Sequence, residues 1–140
     1  MNTLNHAMPQ PRYEEEHLTS SERFYREAIY LLEKTLSESP KSSTSLVEWI
    51  ESYHELASIY EQKGDIVGAQ KCLLIPHQSM LYMALNHHGD KEWEQVAIDA
   101  LGLTLPKLMA FSHVHPTCEH CMRELSAQLA LIEGNTKIRH

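Results

Sequence analysis

Basic charge is scarce in this chain. Twelve Lys and Arg stand against nineteen Asp and Glu, for a formal net charge of −7 and a pI near 5.8. No basic stretch offsets the acidic total, which argues against nucleic acid or an anionic membrane as partner, since both need clustered Lys and Arg. Long apolar runs are missing too. None approaches the roughly 18 residues that span a bilayer. The start, MNTLNHAMPQPRYEEE, lacks a charged opening and an apolar h-region, so no signal peptide is expected. Three cysteines, an odd number, do not make a disulfide framework. A cytoplasmic location is the expectation.

Catalytic signatures are also absent. The chain has no P-loop, no GxGxxG and no GxSxG. His54-Glu55 begins like the HExxH motif of zinc proteases, but Ser58 stands where the second ligand belongs. A non-enzymatic role is therefore the reading.

What the chain does have is helical periodicity. At 140 residues it is about one domain, expected over residues 12–134 with flexible ends at 1–11 and 135–140. In the segment from Trp49 to Tyr60, apolar residues fall at Trp49, Ile50, Tyr53, Leu56, Ala57 and Tyr60, which traces one face of a helix. The Ser- and Thr-rich stretch Lys41 to Ser45 before it reads as a loop offering N-caps. Gly64 suits the left-handed position that closes a helix, and Asp65 suits the cap of the next. So short a junction predicts antiparallel neighbours. Ile66, Ala69, Leu73 and Met80 carry the buried stripe onward.

These residues resemble the tetratricopeptide repeat. The family's first aromatic falls on Tyr53, its Leu and small residue on Leu56-Ala57, and its next aromatic on Tyr60. The turn is Gly64-Asp65, the helix-two Ala is Ala69, and the bulky residue after it is Leu73. Pro76 stands where the family often has a second Ala. A second Gly-Asp, Gly89-Asp90, comes 25 residues after the first, about nine short of the roughly 34-residue repeat. That shortfall predicts one long helix from about Ile66 to His88, kinked at Pro76. An earlier unit is suggested by Ala28, Leu32 and Pro40.

Other helices follow from their signals. Thr19 with Glu22 reads as a capping box opening a helix to about Glu38, with an upstream turn near Tyr13 to Leu18. Asp90 caps a helix to about Leu101, Gly102 and Pro106 interrupt it, and a shorter helix runs to about Ser112. A last helix after Pro116 has Cys118, Met122, Leu125, Leu129 and Ile132 as its stripe, Arg123, Glu124 and Gln128 on its opposite face, and Gly134 as its stop. The expected fold is all-α: tetratricopeptide-like antiparallel hairpins, in a right-handed superhelix or compact bundle, with a C-terminal capping helix.

The resemblance implies binding without chemistry, of a peptide or partner helix on a concave face. Glu51, His54, Ser58 and Glu61 share the side of the first helix away from its stripe. Aligned by their turns, flanking units contribute Tyr13 and His17 before it, and Ser79, Met83 and Asn86 after it. The surface lacks the Lys and Arg with which some members of the family clamp a C-terminal carboxylate, so a neutral to basic peptide is expected.

Two metal readings stand beside it. In HVHPTCEHC, His113, His115, Cys118 and Cys121 supply the two imidazoles and two thiolates of a tetrahedral structural zinc site, while the cysteines equally suit a packed stripe. The pairs Glu14/His17 and Glu51/His54 repeat the Glu-x-x-His element of a di-iron bundle. A helical homodimer with no free peptide site is a further alternative.

Overall fold

The computed structural model describes residues 10–116, with 123–124, 126–128 and 130, and side chains from residue 15 onward. Four helices succeed one another: α1 Gln10–Glu38, α2 Ser43–Gln62, α3 Ile66–Leu85 and α4 Lys91–Val114. Residues 123–124, 126–128 and 130 are helical as well. The described residues contain no strand.

Each boundary has a local cause. Ser42 caps α2 by accepting from the Ser45 N–H at 3.3 Å. At the far end Gly64 takes φ +82°. Its N–H bonds the Glu61 carbonyl at 3.0 Å, and the Asp65 N–H bonds the Tyr60 carbonyl at 2.8 Å. This is the Schellman pairing that satisfies a helix's last carbonyls. Asp65 then caps α3 through the Gly68 N–H at 2.9 Å, and Asp90 caps α4 through the Trp93 N–H at 3.1 Å. Both Gly-Asp turns and their caps stand as the sequence led us to expect.

Several boundaries differ. Thr19 lies inside α1, which runs unbroken from Gln10, so the expected capping box opens no helix. The upstream turn near Tyr13 is fused to it, and the earlier unit is one helix instead of a hairpin. α4 passes through both Gly102 and Pro106. Proline removes the bond to the carbonyl four residues back, here that of Gly102. Both residues are exposed, so water can satisfy that carbonyl at little cost. α3, as expected, is one helix through Pro76, but it stops at Leu85, three residues early, with Asn86 as its C-cap, whose N–H bonds the Tyr82 carbonyl at 2.9 Å. Pro76 is fully buried, and its ring packing offsets part of the lost bond. The stripe residues Cys118, Met122, Leu125, Leu129 and Ile132 lie outside the described residues, as do residues 1–9 and 131–140.

Consecutive helices pack on one another, and α2 also touches α4. α1 and α2 are antiparallel: Trp49 Nε1 donates to Glu33 at 3.2 Å near the connecting loop, and Tyr60 to Glu22 at 2.9 Å near the far ends. α2 and α4 run parallel, with Glu61 and His115 meeting at their C-terminal ends. α2 is therefore the centre, with α1, α3 and α4 around it. Its Trp49, Ile50, Leu56 and Ala57 join Ala69, Leu73 and Met80 of α3, Leu101, Leu105 and Leu108 of α4, and Ile29 of α1 in a single core. α1 is 29 residues against 20 for α2, so its N-terminal turns overhang the stack.

On the far side of α3 the stack is closed by a polar contact. His77, buried, has Nδ1 2.9 Å from the Thr104 hydroxyl and Nε2 2.7 Å from the Gln128 amide oxygen. Arg123 and Glu124 are exposed as expected, but Gln128 turns inward, because a buried imidazole needs a partner on each nitrogen. Cys72 is buried and free, its thiol pushed up to about 11 by burial.

Candidate functional site

Because α2 is central and its neighbours only partly cover it, clefts open along it. One lies between α1, α2 and α4, about 580 Å³, lined by Tyr25, Glu48, Glu51, Ser52, His54, Glu55, Leu103 and Lys107. Glu48, Glu51, Ser52 and Glu55 follow one another at helical spacing and share a face of α2. Ser52 spends its hydroxyl on the Glu48 carbonyl at 2.8 Å. Glu48, Glu51 and Glu55 are exposed, and none makes an ion pair with another described residue. Three carboxylates with no ion pair among the described residues thus line the cleft with one ammonium, Lys107.

His54 sits half-buried among them. Its Nε2 is buried without a hydrogen-bond partner among the described residues. Burial, and then the nearby Lys107 charge, lower its pKa to about 4, so the ring is neutral at physiological pH. A buried polar atom left unpaired is costly. That makes His54 the least satisfied group in the described structure.

Two further clefts differ in this respect. Between α1 and α3, over α2, a space of about 710 Å³ is walled by Tyr30, Tyr53, Tyr60, Leu56, Cys72 and Ile75. Its charged end is already closed on itself. Glu22 accepts from Lys63 at 2.8 Å, Tyr60 at 2.9 Å and Arg26 at 2.9 Å, while Arg26 also contacts the Tyr60 hydroxyl. The Lys63 bond foremost brings the Glu22 pKa down to about 2. The third, about 770 Å³, lies near the α3–α4 turn. There Lys41 bridges Asp90 at 2.7 Å and Glu92 at 3.1 Å and lies over the Trp93 ring.

The nine residues expected on one concave face are divided. Glu51 and His54 share the α1–α2–α4 cleft. Ser58 lies further along α2, accepting from Gln62 at 3.3 Å, and Glu61 is held by His115 at 2.7 Å. His17 is exposed on the overhang of α1, and the Tyr13 side chain lies outside the described residues. Ser79, Met83 and Asn86 line the third cleft, Met83 being buried. The physical reason is the unbroken α3. Aligning units by their turns assigned its C-terminal half to a first helix, whereas the helix parallel to α2 is α4. Tyr25, Glu48, Glu55, Leu103 and Lys107 were missed, and Leu103 and Lys107 emerge once α4 is the helix compared with α2.

Of the zinc set, His113 is exposed and His115 bonds Glu61, while Cys118 and Cys121 lie outside the described residues. His17 and His54 of the Glu-x-x-His pairs lie apart, and the Glu14 side chain is outside the described residues. Among the described residues no group of three or more His, Cys, Asp or Glu is placed to hold a metal. No described helix is long and apolar enough to cross a membrane.

A family model described as Protein of unknown function (DUF2753) matches residues 6–139. The chain belongs to this family. The match takes in all four helices, so the cleft around His54 lies wholly inside the DUF2753 region. No curated protein and no solved structure matches the chain.

Proposed function

We propose that this DUF2753 chain is a cytoplasmic, tetratricopeptide-like interaction module that holds a basic peptide segment in the α1–α2–α4 cleft and does no chemistry on it. The order of packing supports the repeat reading: hairpins in succession, with α2 and α4 parallel as first helices of neighbouring units. The observation that carries the binding reading is His54 Nε2 beside three carboxylates, none of the four with a partner among the described residues. The His54 ring is only half-buried, so a ring turn that brings Nε2 to the cleft lets a peptide backbone, which offers both a donor and an acceptor, complete it in either tautomer. A Lys or Arg side chain meets Glu48, Glu51 and Glu55, and Leu103 supplies apolar contact. Charge complementarity of this kind sets partner choice more than raw affinity.

Panning a random peptide library on the protein tests this. The wild type is expected to enrich Lys- and Arg-containing peptides. A Glu48→Lys, Glu51→Lys, Glu55→Lys variant should bind them roughly tenfold or more weakly. Its melting temperature should barely move, because all three positions are on the surface. Equal binding by the variant would remove the cleft from consideration.

A further inference from the structure

The two ends of the stack are finished differently. Beyond α3 and α4 the chain continues, and Gln128 meets buried His77. At the other end α1 packs on α2 and on neither α3 nor α4. A terminal helix of a stacked array normally presents a polar outer face. The outer face of α1 is polar for most of its length, but three large apolar side chains interrupt it: Phe24 is 64 % exposed, Tyr30 69 % and Leu31 61 %. Phe24 is held edge-on against Tyr25 at 5.1 Å between ring centroids, so its outward pose is set in advance.

The charges on this face say what covers it. Arg23, Arg26, Glu27, Tyr30 and Leu31 enclose a shallow hollow. Neither Arg23 nor Glu27 pairs with another described residue, whereas Arg26, at the edge of the same hollow, is committed to Glu22. Arg23 and Glu27 are opposite in sign and one helical turn apart. Two-fold symmetry makes such a pair self-complementary, since an isologous interface brings the same patch against itself. With two copies of α1 antiparallel and the two-fold axis beside Tyr25, Arg23 of each copy meets Glu27 of the other with the Phe24 side chains between the pairs, while Tyr30 and Leu31 lie about 7–9 Å further along, against the N-terminal turns of the other α1. Antiparallel approach also sets the helix dipoles favourably.

We propose that α1 is a homodimerisation surface, its occupant the α1 of a second copy of this chain packed antiparallel. The surface is distinct from the His54 cleft and does not depend on the peptide reading. Dimerisation leaves that cleft open, because Tyr25 reaches it from the inner side of α1.

Sedimentation equilibrium of the full chain, without peptide, tests the proposal. The wild type is expected to be a dimer. Leu31→Glu should sediment as a monomer with an unchanged circular dichroism spectrum, since the position is on the surface. Arg23→Glu alone should weaken the dimer about tenfold or more, and Arg23→Glu with Glu27→Arg should restore it. Tyr82→Glu, on the exposed side of α3, should leave it intact. A wild type that stays monomeric at its highest soluble concentration overturns the proposal, as does a dimer that survives Leu31→Glu. Failure of the double charge reversal to restore association would refute the antiparallel pairing.

Discussion

Ile50→Ala is expected to lower the unfolding free energy by about 2–5 kcal/mol, the usual loss for a large aliphatic truncated in a core. Ile50 has 0 % exposure and lies on α2, against which α1, α3 and α4 all pack. A cavity there touches the one helix every other described helix needs, and collapse cannot close it without moving two hairpins at once. Against a total stability of roughly 5–15 kcal/mol for a domain, the variant should be strongly destabilised in urea. Leu31→Ala, on the exposed side of α1, should shift stability by about 0.5 kcal/mol or less in dilute monomer. Comparable losses at both positions would mean that α2 is not the centre of the core.

Acid should destabilise the fold in a window set by its histidines. The His54 pKa is lowered from 6.5 to about 4 by burial and Lys107, and the His77 pKa is lowered by burial, with the Gln128 bond opposing. As pH falls below 6.5 the unfolded chain takes up protons that the folded one refuses, so stability falls with pH. For His54 the effect is complete near pH 4. It amounts to about 1–2 kcal/mol once screening at its half-exposed ring is allowed for. Glu22 acts lower down. Its pKa is held at about 2, Lys63 being the main cause, so its contribution is present above 4.5 and lost as pH falls toward 2. Thermal melts across pH should show the first slope between 6.5 and 4. His54→Gln should reduce it, leaving the part that His77 contributes, and leave the lower one intact. An unchanged slope in that variant would show that His54 titrates normally in the folded protein.

How far the sequence led depends on the range of the interactions involved. The Gly64-Asp65 and Gly89-Asp90 turns were legible because left-handed backbone and carboxylate caps are decided within a few residues. The α2 stripe was legible because Trp49, Ile50, Leu56 and Ala57 repeat at helical spacing. Pro106 misled, since its cost depends on whether the Gly102 carbonyl is wet, which only the packing decides. Thr19 misled because its pattern also occurs inside a helix that starts earlier. Only Glu51 and His54 of the expected face lie in the cleft. Its other walls, Tyr25 and Leu103, come from helices on either side of α2, and their convergence is a tertiary fact with no local signature.

The most direct measurement follows the His54 ring and the Leu103 and Ile75 methyl groups by NMR during titration with a library-selected Lys- or Arg-containing peptide. Saturable shifts are expected at His54 and Leu103, with Ile75, which lines the opposite cleft, unmoved. Saturation at Ile75 with His54 and Leu103 unchanged would contradict it.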